Sequence, residues 1–210
     1  FEGWGSSGKG STIGKVIKNI DPRFFKVATM SAPTAEELRY PFLYRYFKQI
    51  PEAGKFTFLD SGWMEQTCKD CLSGEIEGEG YTQRIDSIRR FERQLTDNGY
   101  LVLKFFMQID RDEQKRREKL LLDHKDTRWR VCKQEKENNK NYAECLKRQD
   151  SILVHSDIAE SPWVIVESTD KLYAACKIVS TLVSRMEEAL QASRTCLLYT
   201  SPSPRDMRRS

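Results

Sequence analysis

The first twelve residues contain the pattern that most restricts how this chain can fold. The run Gly3-Trp4-Gly5-Ser6-Ser7-Gly8-Lys9 matches G-x-x-x-x-G-K, the Walker A phosphate-binding loop. It follows a strand-like Phe1-Glu2 and precedes apolar side chains at helical spacing, Ile13, Val16, Ile17 and Ile20. Glycines let backbone N–H groups converge on phosphate oxygens, and a helix that starts there adds its positive dipole end. A strand, this loop and a helix in that order predict a phosphate-binding site.

The lysine of the loop is the first candidate for chemistry. Lys9 can neutralise charge on a transferring phosphoryl group, so we expect it to be catalytic as well as phosphate-binding. Gly10 stands where the motif usually has Ser or Thr. The alternative, a glycine-rich turn with an exposed lysine, does not explain the flanking strand and helix. The residues expected to bind phosphate here are Gly3, Gly5, Gly8, Lys9, Gly10, Ser11 and Thr12.

A short apolar strand, Lys55 to Asp60, ends in an acid. An aspartate at the end of a strand next to a Walker A loop can hold the Mg²⁺ ion that accompanies the phosphates. Aspartate at such a position is also a common loop or helix cap, but the phosphate loop favours the metal role. We therefore expect Asp60 to be catalytic and to bind Mg²⁺.

Phosphoryl transfer also needs cations that close over the transferring group. Two clusters are available, Lys115-Arg116-Arg117 on a predicted helix and Arg128-Trp129-Arg130 shortly after it. Charged helical faces are usually only solvated, so we expect one or two of these arginines to take part. Arg117 is the catalytic candidate, and Arg116 and Arg128 are the phosphate-binding candidates.

Hydrophobic periodicity alternates between strand-like and helix-like segments along the chain. The predicted strands are 1–2, 25–30, 55–60, 100–109 and 163–167; the predicted helices are 12–20, 35–50, 82–97, 111–122, 141–153 and 170–190, with 70–80 as a loop. The last helix carries apolar Leu172, Cys176, Val179, Val183, Met186 and Leu190. Alternating strands and helices imply a parallel sheet covered on both faces. The predicted fold is α/β, a three-layer P-loop nucleotide-kinase-like fold with a mostly parallel five-stranded sheet.

The bulk composition argues against several classes of protein. Of the net charge of +4, +3 belongs to residues 194–210, so the rest lacks the basic footprint of a nucleic-acid-binding domain. No apolar run approaches the roughly 18 to 20 residues of a transmembrane helix. Cys68-Lys69-Asp70-Cys71 forms a C-x-x-C without two further ligands for zinc. Reduced structural thiols and a cytoplasmic location are expected, with a metal or redox role as the weaker alternative.

The two ends of the chain differ from its body. The chain starts at Phe1 rather than at Met, and residues 194–210 replace the apolar periodicity with Ser, Pro and Arg. We predict one N-terminally truncated domain over residues 1–193. Residues 194–210 are predicted to be an unstructured tail that looks like translated cloning sequence.

Beyond the loop, the chain resembles the polyphosphate kinase 2 family. The segment Glu2 to Gly10 is similar to the family's E-G-W-D-A-A-G-K-G, and Ser161-Pro162-Trp163 stands where the family has A-P-W. Further matches follow in order: Asp21-Pro22-Arg23, Ala32-Pro33-Thr34, Glu36 to Leu38, Pro51 to Gly54, Leu59-Asp60 with Trp63, Phe91 to Leu95, Leu103 to Phe106, Glu113 to Arg117, and Arg128-Trp129. The resemblance therefore covers roughly residues 1 to 190 and is more specific than a P-loop alone.

The resemblance implies a thymidylate-kinase-like fold and Mg²⁺-dependent phosphoryl transfer between inorganic polyphosphate and a nucleotide. It is most similar to the tandem-domain branch, polyphosphate:AMP phosphotransferase, which makes ADP from AMP. In that mechanism Lys9 holds the transferring phosphate, Asp60 organises the metal, and lid arginines guide the polyanion. The implied partners are polyphosphate, AMP or ADP, and a second homologous domain, with a homo-oligomer as a further option and neither nucleic acid nor membrane.

Two departures from the family pattern bear on activity. Gly5 stands where the family has an aspartate, and Asp60-Ser61-Gly62-Trp63-Met64 replaces D-R-S-W-Y. Losing one such electrostatic contact can cost on the order of a hundredfold in rate. Three hypotheses follow: an active polyphosphate-dependent nucleotide phosphotransferase; a catalytically degenerate, polyphosphate-binding or structural module like the N-terminal one of tandem proteins; and an ATP-dependent nucleotide kinase.

Overall fold

Five parallel strands form the centre of the computed structural model, which describes residues 1–131 and 139–198 and, of 192–198, the backbone alone. Strand β1 (Glu2–Gly3) pairs with β4 (Lys104–Gln108), and β4 pairs with β5 (Trp163–Glu167). Strands β2 (Phe25–Thr29) and β3 (Phe56–Asp60) form a second parallel ladder.

Phe1 joins the two ladders. Its amino nitrogen donates to the carbonyl oxygen of Leu59 at 2.9 Å, and its own carbonyl oxygen accepts from the N–H of Ser61 at 3.0 Å. These bonds place β3 beside β1, so the strand order is β2-β3-β1-β4-β5. The predicted α/β fold with a parallel sheet is confirmed.

Besides the helical residues 139–140, seven α-helices lie among the described residues: α1 (Lys9–Ile17), α2 (Tyr44–Phe47), α3 (Trp63–Leu72), α4 (Gly78–Asp97), α5 (Arg111–Asp123), α6 (Tyr142–Ser156) and α7 (Lys171–Leu198). Short 3₁₀ helices span Pro22–Phe24, Glu37–Arg39 and Arg128–Arg130. One apolar core contains side chains of α1 and α7, and the other contains side chains of α2, α3, α4 and α6. The sheet therefore lies between two layers of helices.

Strand β4 explains why the sheet needs both layers. Phe105 and Met107 belong to the core beside α1 and α7, whereas Phe106 belongs to the opposite core. Successive side chains of a strand point to opposite faces, so an apolar run of this kind is buried on both sides. The strand is shorter than the predicted 100–109, because only Lys104–Gln108 pairs with its neighbours.

Two predictions between residues 35 and 80 were wrong. The predicted helix 35–50 is a 3₁₀ turn at Glu37–Arg39 and the four-residue α2, since Pro41 between them cannot donate a backbone hydrogen bond. The predicted loop 70–80 contains the end of α3 and the start of α4. Helix α3 has a helical pattern of buried side chains, including Cys68 and Cys71, whose thiols are free.

Helix α7 does not bury the apolar row that its sequence suggests. It packs through Ala174, Ala175 and Ile178, because small alanines allow close contact with β5 and α1. Leu172, Val179, Val183 and Leu190 of the predicted row are exposed.

The helix also runs beyond the predicted domain end at residue 193, to Leu198, since no Gly or Pro interrupts it. Residues 199–210 of the predicted tail lie outside the described residues. None of the helices within the described ranges has the length and apolar character that crossing a membrane requires.

Candidate phosphate-binding site

The predicted phosphate loop lies at the carboxyl end of β1, where the chain turns into α1. Gly3 has φ of 123°, and a Cβ atom there would lie 2.3 Å from the carbonyl oxygen of Met107, so only glycine fits. Gly8 has φ of 102° and precedes the first residue of α1. Both glycines adopt backbone conformations that other residues rarely adopt. The backbone shape of the loop therefore depends on glycine at these two positions.

Trp4 fixes the first half of the loop to the protein. Its side chain is 2% exposed, and its indole N–H donates to Oε1 of Gln108 at 2.8 Å. The ring stacks on Tyr142 of α6 with centroids 4.2 Å apart. This tryptophan therefore anchors the loop to β4 and α6.

The carbonyl oxygens of the loop all accept hydrogen bonds from groups around it. The donors are Lys9 Nζ to Gly3 and Trp4, the Ser7 N–H to Trp4, Gln114 Nε2 to Gly5, Arg117 Nη1 to Ser6 and Ser7, and the Thr12 N–H to Gly8. A loop whose carbonyls are engaged in this way can turn its amides toward a ligand. The first amides of α1 have no acceptor within the helix. Of the hydroxyl candidates at this end, Ser11 is exposed and Thr12 is buried.

Arg117 lies under the loop, 5% exposed. Its Nη1 donates to Ser6 and Ser7 at 3.2 and 2.9 Å, and its Nη2 donates to the carbonyl oxygens of Ser168 and Thr169 at 2.6 and 2.9 Å. Nε donates to Glu113 at 2.6 Å. An arginine has five N–H donors, and these contacts engage all three of its nitrogens. The predicted catalytic arginine is therefore placed as a support of the loop.

The other two arginine candidates donate hydrogen bonds to groups outside the loop. Arg116 is exposed and donates to both carboxylate oxygens of Glu113 at 2.7 Å. The hydrogen bond from Arg116, followed by that from Arg117, lowers the pKa of Glu113 to about 2 although burial opposes the change. Arg128 is exposed and donates from Nε to the Leu122 carbonyl at 2.6 Å. In this conformation the structure does not bring Arg116 or Arg128 to the loop.

Lys9 reaches across the loop to an acid that the sequence analysis missed. Its Nζ donates to the Gly3 carbonyl at 3.0 Å and lies 3.5 Å from Oε2 of Glu65, in the first turn of α3. The other oxygen of Glu65 accepts from Lys69 at 2.6 Å. Burial alone would raise the pKa of Glu65, but the charges of Lys9 and Lys69, with hydrogen bonds from Lys69 and Ser61, lower it to about 2. The i, i+4 spacing of Glu65 and Lys69 was the available sequence signal.

Asp60, the predicted metal ligand, lies next to the phosphate loop. It ends β3, and its Oδ2 would be 3.3 Å from a Cβ atom on Gly10, so the carboxylate lies against the first turn of α1. Mg²⁺ usually binds one or two carboxylates together with substrate phosphates and water. A hard oxygen ligand next to a phosphate loop fits that ion. Within the described residues, no group of three or more acidic, histidine or cysteine side chains forms a metal site by itself.

Glu2 couples the loop to α3. Its carboxylate is buried and accepts from the backbone N–H groups of Met64 and Glu65 at 3.1 and 3.2 Å. Burial, partly opposed by the nearby amino terminus, raises its pKa to about 7. A Cβ atom on Gly62 would lie 2.8 Å from Oε1 of Glu2. The glycine that departs from the family's D-R-S-W-Y pattern is thus fitted to this carboxylate.

Comparisons with known proteins agree with this geometry. The family model described as Polyphosphate kinase 2 (PPK2) matches residues 1–194. A polyphosphate:AMP phosphotransferase of Pseudomonas syringae pv. tomato is 30% identical over 193 residues, 90% of this chain and 38% of that protein. A GDP-polyphosphate phosphotransferase of Mycobacterium tuberculosis is 27% identical over 90% of this chain and 64% of that protein. The chain thus spans about two fifths of the length of the first of these relatives.

The fold of this chain also agrees with solved structures. A Pseudomonas aeruginosa protein assigned as a polyphosphate kinase 2 superposes with a TM-score of 0.86 at 28% identity, over 91% of this chain and 41% of that one. A polyphosphate kinase 2 of Arthrobacter aurescens has the same fold, with a TM-score of 0.86 at 24% identity, over 95% and 74% of the two chains. The phosphate loop, the parallel sheet and these matches show that the chain belongs to the polyphosphate kinase 2 family.

Proposed function

We propose that this domain binds inorganic polyphosphate and, with Mg²⁺, transfers its terminal phosphoryl group to AMP. The observation that carries the proposal is the loop itself: Gln114 and Arg117 bind the carbonyls of Gly5, Ser6 and Ser7 from outside it, and the Asp60 carboxylate lies against Gly10. AMP as acceptor is supported by the names of the relatives at 30% and 27% identity, which are polyphosphate:AMP phosphotransferases.

The proposed reaction assigns a role to each part of the site. The loop amides and Lys9 hold the terminal phosphate of the chain. Asp60 holds the Mg²⁺ ion, which neutralises phosphate charge when bound. An oxygen of the AMP phosphate attacks the terminal phosphorus, the bond to the bridging oxygen breaks, and the shortened polyphosphate leaves with that electron pair. Arg117 keeps the loop in place throughout.

A second candidate function has specific support. Gly5 and Ser61 replace an acid and an arginine of the family pattern, and Lys9 is paired with Glu65. These features favour a module that binds polyphosphate but transfers phosphate slowly, beside a second homologous domain. The length of the polyphosphate:AMP phosphotransferase relatives, of which this chain covers 38% to 39%, leaves room for such a domain.

One assay separates the candidates. The 210-residue chain is incubated with AMP, polyphosphate and Mg²⁺, and ADP is quantified. Turnover that Lys9→Ala abolishes supports the first proposal. Activity that appears only in the Gly5→Asp, Ser61→Arg double variant supports the module, because that variant restores the two missing groups. The same reaction is run with ATP in place of polyphosphate. If ATP is the only effective donor, the chain is an ordinary nucleotide kinase and both proposals fail.

A further inference from the structure

We propose that Glu65 is the counter-ion that polyphosphate must displace from Lys9, and that it thereby sets the affinity of the loop for phosphate chains. The inference rests on the proposed polyphosphate binding and assigns an affinity-determining role to a residue outside the loop. Glu65 belongs to α3, and its carboxylate oxygen Oε2 lies 3.5 Å from Lys9 Nζ.

The position of Glu65 is fixed by two separate contacts. Its backbone N–H donates to Oε2 of Glu2 at 3.2 Å. Its Oε1 accepts from Lys69 Nζ at 2.6 Å, one helical turn later on the same face. Its side chain is 27% exposed and that of Lys9 is 13% exposed, so solvent screens the pair only in part. Glu65 is therefore held beside the lysine.

Polyphosphate and Glu65 compete for the same cation. In a Walker A loop the lysine binds phosphate oxygens, and here it is already shared with a carboxylate. Residues 3 to 12 contain no acid of their own, and the carboxylate at ion-pair distance from Lys9 is that of Glu65 on α3. When phosphate takes Lys9, Lys69 still neutralises Glu65, because it binds the other carboxylate oxygen. Lys69 thereby assists the exchange.

This arrangement predicts effects of opposite sign for two neighbouring residues. Glu65→Gln removes the carboxylate that competes with the ligand for Lys9 and is expected to tighten binding about tenfold, equivalent to about 1.4 kcal/mol. Lys69→Gln leaves Glu65 dependent on Lys9 and is expected to weaken binding several-fold. In the Glu65→Gln background the Lys69→Gln effect should disappear, since no carboxylate remains to be held.

The measurement is calorimetric titration of the full chain with tripolyphosphate, with and without Mg²⁺. Glu79→Gln on α4 removes an equally negative but exposed side chain and is expected to leave the affinity unchanged. Glu65→Gln in a Lys9→Met background should also have no effect, because the competition needs the lysine. Thermal unfolding of each variant separates altered affinity from altered folding.

The outcomes distinguish this inference from the proposed function. If Glu65→Gln binds tripolyphosphate no more tightly than the parent, or loses only the Mg²⁺-dependent part of binding, Glu65 is not a competitor and the inference is overturned. A gain that persists without Lys9 also overturns it, since that gain would be long-range repulsion. If the affinities change as expected while ADP never forms, the inference holds and the proposed phosphoryl transfer fails.

Discussion

Two adjacent arginines show how far the role of a single residue can be predicted from the sequence. The sequence places Arg116 and Arg117 in one basic cluster and supports a phosphate role for both. In the structure Arg116 is exposed, whereas Arg117 is buried and bonded to residues 51 and 110 positions away. Lys9 and Asp60 could be predicted because a local motif and a strand end define them. Glu65 could not, because its contact with Lys9 depends on how α3 packs.

Replacing each arginine by lysine tests this difference. Arg117→Lys is expected to destabilise the domain by about 3 kcal/mol, because a single ammonium group cannot satisfy the carbonyls that the guanidinium binds. It should also weaken tripolyphosphate binding, since the loop loses its support. Arg116→Lys, the matched control, should change stability by less than about 0.5 kcal/mol, as exposed pairs contribute little. Urea unfolding measures both variants, and equal costs would contradict the assignment.

At the scale of secondary-structure elements, periodicity located the strands and the long helices but did not always identify which face of a helix packs. Helix α4 buries Ile85, Ile88 and Phe91 as its pattern suggests. Helix α7 instead buries Ala174, Ala175 and Ile178, whereas most of its predicted apolar row is exposed. The apolar residues of α7 indicate two faces of the helix that could pack. The shape of the sheet surface decides which of these faces packs against it. Helix α3 was missed because its start is fixed by Glu2, 62 residues earlier in the chain.

Truncating neighbouring residues of α7 tests which face packs on the domain. Ile178 is 0% exposed and Val179 is 41% exposed. Ile178→Ala is expected to cost roughly 2 to 4 kcal/mol, because it removes buried methyl groups and leaves a cavity. Val179→Ala is expected to change stability by less than about 0.5 kcal/mol. The free energies of unfolding are measured with urea on the full chain. If Val179→Ala loses more stability than Ile178→Ala, the face of α7 that carries Val179 packs on the domain, and the assignment is wrong.

For the whole molecule, the sequence predicts a parallel sheet between two helical layers but not the polar contacts that join the sheet to one of those layers. Glu92 of α4 is 0% exposed and receives a hydrogen bond from Trp63 Nε1 at 2.9 Å and from Ser161 Oγ at 2.8 Å. Lys104 of β4 donates to it at 2.7 Å and to the Ser156 carbonyl at 2.9 Å. Burial raises the pKa of Glu92 and lowers that of Lys104, and their mutual attraction opposes both shifts. One buried network therefore ties the sheet to α3, α4, α6 and the segment before β5.

Breaking this network should affect the whole domain. Glu92→Ala leaves Lys104 buried without a counter-charge, and we expect a loss of about 3 to 5 kcal/mol, enough to unfold a large fraction of a marginally stable domain. Adding Lys104→Met should recover part of that loss, because an unpaired buried charge costs more than an apolar pair. Recovery should be incomplete, since Trp63 and Ser161 still lose their acceptor.

The exposed pair of Arg93 and Glu160, 3.9 Å apart, provides the control for this experiment. Arg93→Ala should change stability by less than about 0.5 kcal/mol, because solvent already screens that pair. Urea unfolding of the parent, Glu92→Ala, Lys104→Met and the double variant gives the coupling between Glu92 and Lys104 as a double-mutant cycle. A cost below about 1 kcal/mol for Glu92→Ala would show that the acid is neutral or dispensable in the fold. A strong positive coupling would instead show that α4 is held to the sheet by charge as well as by apolar packing, which no local sequence pattern reveals.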